Sequence, residues 1–230
     1  MRLECASRAR EDLSLPFCSH DVIVDTTRSE PSTCAEAWTL YIVAMSEPFL
    51  LVLTGPPGAG KSTMSRYVAA HFERSAVIEG DFFWASLVNG GIAPWEPAAA
   101  MQNEVLVRAA LHSAALLANA GFSTVLEGII GPWFMDVIKE EFANVELPIV
   151  YMVLRPTLAT CLDRTHARLA DPRHANALSD EGPVRHMHDQ FSRLGLFERH
   201  VLDTSEHTEM ETGAEILRRY REEDFALSRV

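Results

Sequence analysis

Lysine is nearly missing from this chain. Among 20 basic residues in 230, only Lys61 and Lys139 are lysines, and the others are arginines. A lysine in such a sequence therefore stands out from the usual background of solvated amines. Long apolar runs are missing too: no stretch is long enough to cross a bilayer, and the N-terminus lacks an apolar core of signal-peptide length. A cytoplasmic chain with no membrane partner is expected. Cysteine is sparse. Cys5, Cys18, Cys34 and Cys161 form no C-x-x-C pair and have no partnered His spacing, which argues against zinc and against a disulfide framework. Positive charge is short: 20 basic residues face 32 acidic ones, a net charge of −12 that argues against a nucleic-acid surface. A small anionic ligand needs only a local basic pocket and stays allowed. His186 and His188 lie close together, but no Cys or carboxylate stands beside them at ligand spacing, so they read as solvated or phosphate-facing. Neither lysine sits in an Asn-Lys-x-Asp sequence, so the guanine signature of a GTPase switch is absent.

What is present is concentrated between Phe49 and Thr63. The apolar run FLLVLT passes directly into GPPGAGKST, where Gly55, Gly60, Lys61 and Ser62 satisfy G-x-x-x-x-G-K-[ST]. A buried strand leads in and a helical pattern from Lys61 to about His71 leads out, which is the context the motif requires. The glycines let successive N–H groups turn inward toward phosphate oxygens, and the helix N-terminus adds partial positive charge. Gly55, Pro56, Pro57, Gly58, Ala59, Gly60, Lys61, Ser62 and Thr63 are thus the expected cradle of a nucleoside triphosphate. Lys61 reaches the transferred phosphate, and the Ser62 hydroxyl takes a place on Mg²⁺.

Length and a hydrophobic fraction of 47% fit one sizeable globular domain with an appendage. The appendage is expected at residues 1–44, where Val22 to Val24, an Asp-Thr-Thr turn and Thr33-Cys-Ala-Glu36 echo Val201-Leu202, Asp203-Thr-Ser205 and Thr212-Gly-Ala-Glu215. Two accounts of that echo stand, a remnant of a fused kinase-like tail and chance similarity over a short, common pattern; the working domain is expected over residues 45–230. From Met45 strand and helix alternate, which predicts a parallel sheet covered on both faces. Strands are read at Phe49–Thr54, Ala76–Glu79, Thr124–Leu126, Ile149–Leu154 and Val201–Leu202. A helix over Ala98–Asn119 carries Met101, Val105, Leu106, Ala109 and Ala110 near one stripe, and Gly121 stops it. Helices are also read over Pro132–Asn144, Thr157–Leu169 and Thr212–Glu222, and Ala170 to Asp189 reads as a polar segment.

Ligands of open parallel sheets lie beyond the carboxyl ends of the strands, so the residues there carry the chemistry. Asp81 follows the second strand and suits a general base that orients an acceptor hydroxyl. Glu127 follows the third strand, with a metal-shell or substrate role set against a structural one. Arg164 and Arg168 share a helix face at i, i+4, and Arg173 follows Asp171-Pro172. These three guanidinium groups suit the charge of a transferring phosphoryl group, while Arg155 and Arg185 are weaker candidates. Trp84, Trp95, Gln102, Asn103 and Trp133 are expected to line the acceptor pocket. Aromatic walls and amides suit a neutral polyol, sugar or antibiotic better than a nucleoside monophosphate.

GPPGAGKST, Gly80-Asp81, the Arg164/Arg168 pair and the V-x-D-T-S of Val201 to Ser205 together resemble the small phosphotransferases of the P-loop kinase superfamily. The chloramphenicol phosphotransferase, zeta-toxin and gluconate/shikimate kinase groups are the nearest in pattern. That resemblance implies an α/β P-loop NTPase fold, a five-stranded parallel sheet in the order 2-3-1-4-5, and a mobile lid after the Arg164 helix. It also implies ATP and Mg²⁺ as cofactors, an adenine site near Asp203 to Glu206 with Asp203 and Thr204 at the nucleotide, and an acidic catalytic residue at Asp81. Glu127-Gly128 departs from the Asp-Gly of many relatives. An ATP-dependent kinase acting on a hydroxyl of a small molecule is the expected function. The alternatives are a nucleotide-dependent ATPase or switch, and a toxin-like kinase of nucleotide sugars.

Overall fold

Five parallel strands organise the chain in the order β2-β3-β1-β4-β5. The computed structural model describes residues 48–169, 180–222 and 226–227. The expected appendage at residues 1–44 and Arg173 both lie outside them. In chain order the elements are β1 (Leu50–Thr54), α1 (Lys61–Ala69), β2 (Ser75–Glu79), α2 (Asp81–Ala85), α3 (Ala100–Asn119), β3 (Ser123–Gly128), α4 (Met135–Glu141), β4 (Ile149–Leu154), α5 (Leu158–Leu169), α6 (Glu181–Gln190), β5 (Val201–Leu202) and α7 (Glu209–Arg221). Short 3₁₀ turns at Pro97–Ala99, Pro132–Phe134 and Gly195–His200 precede α3, α4 and β5.

β1 is central, paired with β3 on one side and β4 on the other, and all five of its residues are buried. A central strand buried on both faces needs an unbroken apolar run, which LLVL supplies. Alternation sends Leu50 and Val52 into a cluster with Leu111, Leu126, Tyr151 and Val153, while Leu51 and Leu53 are buried on the opposite face. Each fully buried Leu contributes on the order of 2 kcal/mol relative to exposure. At the start of β1, the Phe49 ring packs 4.6 Å from both Phe72 and Tyr220, which fixes α7 beside α1.

Register places the strand exits side by side. Leu53 is opposite Glu127, Thr54 is opposite Gly128, and Glu79 is opposite Glu127. The turn after β3 is then held by two buried side chains. Thr54 Oγ1 accepts from the Ile130 amide at 2.9 Å, and the Tyr151 hydroxyl donates to the Ile130 carbonyl at 2.8 Å.

Three expectations are corrected. The buried stripe of α3 consists of Leu106, Val107, Ala110, Leu111, Ala114, Ala115 and Ala118, whereas Met101, Val105 and Ala109 are exposed. The small alanines at 110, 114 and 118 let the helix approach the sheet, and the neighbouring face carries Arg108 paired with Glu104, Glu140 and Glu141. The last helix opens at Glu209, not Thr212, because Thr208 and Glu211 form a reciprocal capping box. Gly213 falls inside it, where an added Cβ would stand 2.2 Å from the Tyr67 ring. Within the segment read only as polar, Glu181–Gln190 is helical, started by the Asp180 carboxylate accepting from the Gly182 amide.

His200 is buried beside β5, with Nδ1 2.9 Å from the Tyr151 carbonyl and Nε2 3.1 Å from Arg199 Nε. The carbonyl can only accept, so Nδ1 carries the proton and Nε2 accepts from Arg199. Burial lowers the pKa of this imidazole; the bond to Tyr151 opposes that shift and the Arg199 charge reinforces it. A depressed folded-state pKa stabilises the fold above the unfolded value of about 6.5, and that contribution is lost as pH falls through the folded pKa. The stability advantage of the native chain over His200→Gln is therefore expected to shrink between pH 7.5 and 5.5 in denaturant titrations. An advantage that does not change with pH would sink this account.

Candidate active site

Phosphate-binding geometry begins where β1 ends. Gly55 has φ 148° and an added Cβ would lie 2.1 Å from the Leu154 carbonyl. Gly58 has φ 80°, and its Cβ would lie 2.3 Å from the Cys161 carbonyl. The loop is thus pressed against the exit of β4 and the first turns of α5, and only glycine fits at either point. α1 starts at Lys61 after Gly60, so the first amides of a nine-residue helix face the space the loop encloses.

Lys61 Nζ donates to the Pro56 carbonyl at 3.1 Å, so the amine is folded over the loop. The amine end is surrounded by protein although the residue as a whole is half-buried. Burial lowers its pKa, and Glu127 and then Asp81 work against that shift. Ser62 Oγ donates to Glu127 Oε1 at 3.0 Å. Glu127 is only 4% exposed, and burial pushes its pKa up against the opposing effects of Lys61 and the Ser62 bond. A carboxylate whose second oxygen is uncommitted, next to a motif hydroxyl, is a hard-oxygen donor set of the kind Mg²⁺ accepts beside phosphate oxygens and water. Among the described residues there is no cluster of three or more His, Cys, Asp and Glu that could hold a metal ion by itself.

The Gly80 amide donates to the Glu127 carbonyl at 2.7 Å, which locks the exit of β2 to that of β3. Asp81 follows as the first residue of α2, exposed, with its charge acting on both Lys61 and Glu127. Lys61, Ser62, Asp81 and Glu127 are therefore gathered at one edge of the sheet.

On the other flank of the loop lies a cavity of about 370 Å³ walled by Gly60, Thr63, Arg164, Arg168, Thr204 and His207, among others. Arg164 spans it, donating to the Ala59 carbonyl at 3.5 Å and the Thr204 carbonyl at 3.2 Å. Arg168 lines the same wall, as expected for residues sharing one helix face. Thr204 Oγ1 and His207 Nδ1 are buried there without a hydrogen-bond partner. Such atoms are costly unless a ligand or water satisfies them. Sequence reasoning missed His207, which belongs to no motif; its place three residues after Thr204 in the β5–α7 loop was the only signal. Asp203, by contrast, is exposed and spends its carboxylate on the Ser205 amide and hydroxyl, at 2.9 and 2.5 Å. The Ser205 bond holds its pKa low.

The weaker arginines are spoken for. Arg155 makes a paired contact with Glu198 and donates to the Phe191 carbonyl, and Arg185 pairs with Glu181. The expected acceptor residues hold the protein to itself. Gln102 accepts from the Ile92 amide at 2.8 Å and donates to the Ile92 carbonyl at 2.7 Å. Trp84 Nε1 donates to Asn103 Oδ1 at 3.0 Å, and Asn103 donates to the Pro94 carbonyl at 2.7 Å. Trp133 packs edge-on to Phe191 at 5.2 Å, and Trp95 is half-buried.

A family model described as an AAA domain matches residues 50–194, well over half of the chain. An adenylate kinase of Nocardioides sp. is 48% identical over 40 residues, which is 17% of this chain. The chain thus spans about a fifth, 21%, of the length of that curated relative. Among solved structures, an APS kinase of Mycobacterium tuberculosis bound to AMPPNP and APS aligns with TM-score 0.53 and 20% identity over 75% of this chain and 96% of that one. Shikimate kinase of Acinetobacter baumannii, bound to shikimate, aligns with TM-score 0.51 and 19% identity over 79% and 97%. The tunicamycin resistance protein of Deinococcus radiodurans aligns with TM-score 0.53 and 14% identity over 76% and 95%. These likenesses show the fold, that of the P-loop kinases, with the sheet order 2-3-1-4-5. No helix among the described residues is long and apolar enough to cross a membrane.

Proposed function

We propose, from the premise that this chain belongs to the AAA domain family and has the P-loop kinase fold, that it transfers the γ-phosphoryl group of ATP to a hydroxyl of a small molecule. The observation that carries this reading is the grouping of Lys61, Ser62, Glu127 and Asp81 at one edge of the sheet, with a base-sized cavity on the other flank of the loop. Loop amides and Lys61 hold the triphosphate. Arg164 and Arg168 border the path of the phosphates, and Arg173 is proposed to join them. Asp81 orients the acceptor hydroxyl. As the acceptor oxygen bonds to the γ-phosphorus, the bond from that phosphorus to the bridging oxygen of ADP breaks, and the hydroxyl proton passes to the Asp81 carboxylate. Ser62 and Glu127 would hold Mg²⁺, directly or through water, and the ion would neutralise charge on the phosphates. Domain 45–230 is taken as the working unit, and residues 1–44 as carrying no chemistry.

Acceptor-dependent release of ADP, with mass-spectrometric detection of a phosphorylated alcohol, tests the reading. ATP hydrolysis at the same rate with and without acceptor would favour an ATPase instead. The family's AAA description keeps that second reading in view, but Glu127 is followed by Gly128, so the acidic pair expected of a motor-type ATPase is missing.

The orphaned Thr204 and His207 atoms suit a purine edge, with the Arg164 side chain across the same cavity. Truncating His207 to Ala is expected to raise the Kd for ATP about 3- to 10-fold, the worth of one neutral hydrogen bond, with kcat at saturating ATP unchanged. Calorimetric titration measures it. An unaltered Kd would remove His207 from the base site.

A further inference from the structure

The charge on either side of the phosphate loop is strongly partitioned. In the order β2-β3-β1-β4-β5, the cavity with Arg164, Arg168, Thr204 and His207 lies on the β4–β5 side of β1. The space left for an acceptor is then bounded by the exits of β3 and β2, by α2, and by the first turns of α3. Between Arg74 and Arg108 the chain has no Lys, Arg or His, and between His112 and Lys139 it again has none. Those two stretches contain α2, the connection to α3, the first turns of α3, the exit of β3 and the Pro132–Phe134 turn. Of the basic residues at their margins, Arg74 lies over the Phe122 ring, and Arg108 pairs with Glu104, Glu140 and Glu141. His112 stands 3.3 Å from Glu141, and Lys139 is exposed on α4; Arg66 of α1 pairs with Glu79. The carboxylates of Asp81 and Glu127 stand on this side.

Resting on the kinase reading above, we infer that the phosphate acceptor is an alcohol bearing no anionic group, either uncharged or cationic, with apolar surface on its body. A carboxylate or phosphate drawn out of water needs a paired cation; Lys61, the cation at this edge, is folded onto the loop and assigned to the triphosphate, which leaves the carboxylates of Asp81 and Glu127. The polar amides nearest to hand cannot substitute, because Gln102 and Asn103 bond the backbone at Ile92 and Pro94. Large apolar side chains are exposed on these elements beside the polar Asp81, Glu96 and Glu104: Phe82 at 71% and Met101 at 80%, with Val88 and Val105 also open. Such exposure on the acceptor elements fits a ligand with apolar surface. The acceptor class therefore differs from the carboxylated and phosphorylated substrates of the solved neighbours bound to shikimate and APS. Arg193 is exposed two residues after Phe191, whose ring packs against Trp133 of the Pro132–Phe134 turn, so among the described residues it is a basic group that an anion on this side would use.

The test is a charge series of six-carbon polyhydroxy compounds, glucosamine, glucose and gluconate, run beside chloramphenicol, kanamycin, shikimate and AMP. The whole chain is supplied with ATP and Mg²⁺, and phosphorylated product is quantified by mass spectrometry. The expected result is product confined to uncharged and cationic members, with kcat/KM at least about 100-fold above any anionic one. For a cationic acceptor KM should rise with salt. Preferential phosphorylation of gluconate or shikimate overturns the inference and leaves the kinase reading intact, and its loss in Arg193→Gln would identify the anchor; transfer to the phosphate of AMP overturns both the inference and the hydroxyl acceptor. ATP binding with no product from any member overturns the kinase reading itself, and this inference with it.

Discussion

Replacing Lys61 with Ala is expected to lower acceptor-dependent transfer by about 10³-fold or more. The amine sits at the loop, where it can follow the γ-phosphate as charge develops, and removing one such donor from a transition state typically costs 10²–10³-fold in kcat. A second loss adds to this. Lys61 is the first opposing charge acting on buried Glu127, so its removal favours the protonated carboxyl and weakens that residue as an oxygen donor. Lys61→Arg should not restore activity, because the guanidinium is broader than the ammonium and cannot occupy the same point inside the loop. Initial rates of ADP release with acceptor present, and nucleotide titrations of each variant, separate the chemical step from binding. Transfer within tenfold of the native rate would show that Lys61 has no part in the step.

Asp81→Asn should retain ATP and lose turnover. General-base catalysis contributes about 10²–10⁴-fold, and the amide keeps the size of the side chain while giving up its capacity to take a proton. Asp81 is exposed at the start of α2, so the substitution should change stability by no more than about 0.5 kcal/mol. KM for ATP should stay within about twofold if the residue acts, as proposed, on the acceptor side of the phosphates. The informative quantity is the split between kcat and KM. A variant with full kcat would mean that the proton leaves by another route, and Asp81 would then serve only as a charge beside Lys61.

These two residues also show what could and could not be read without coordinates. The phosphate loop was legible because its motif is local: strand, glycines, Lys61 and Ser62 are contiguous, and the positive φ of Gly55 and Gly58 favours glycine even before Leu154 and Cys161 press on them. The sheet was legible for a similar reason, as apolar runs such as LLVL and IVYMVL suit strands buried on both faces, and their alternation with helical segments points to a parallel sheet. The opening of α7 was missed although Thr208 and Glu211 spell a capping box, because Thr212-Gly-Ala-Glu resembles one equally well. The Gly213 contact with Tyr67 decides between them only in three dimensions. The α3 stripe was misplaced by a residue or so because Met101, Val105 and Ala109 are apolar but face away from the sheet, and periodicity does not weigh one apolar side against another.

The sequence by itself determined that a phosphate-loop motif follows a buried strand, and that carboxylates end the next two strands. It also determined that two long stretches carry no cation. Each of these depends on neighbours along the chain or on composition. Tertiary structure alone decided that Glu127 bonds Ser62 across 65 positions and that Gly80 locks Asp81 beside it. It alone turned Gln102 and Asn103 inward to the Ile92–Pro94 loop, and left Thr204 Oγ1 and His207 Nδ1 without partners in a cavity with Arg164. The physical reason is the same throughout. Hydrogen bonds and burial act between groups that the strand register brings together, and register is a property of the packed sheet rather than of any one segment.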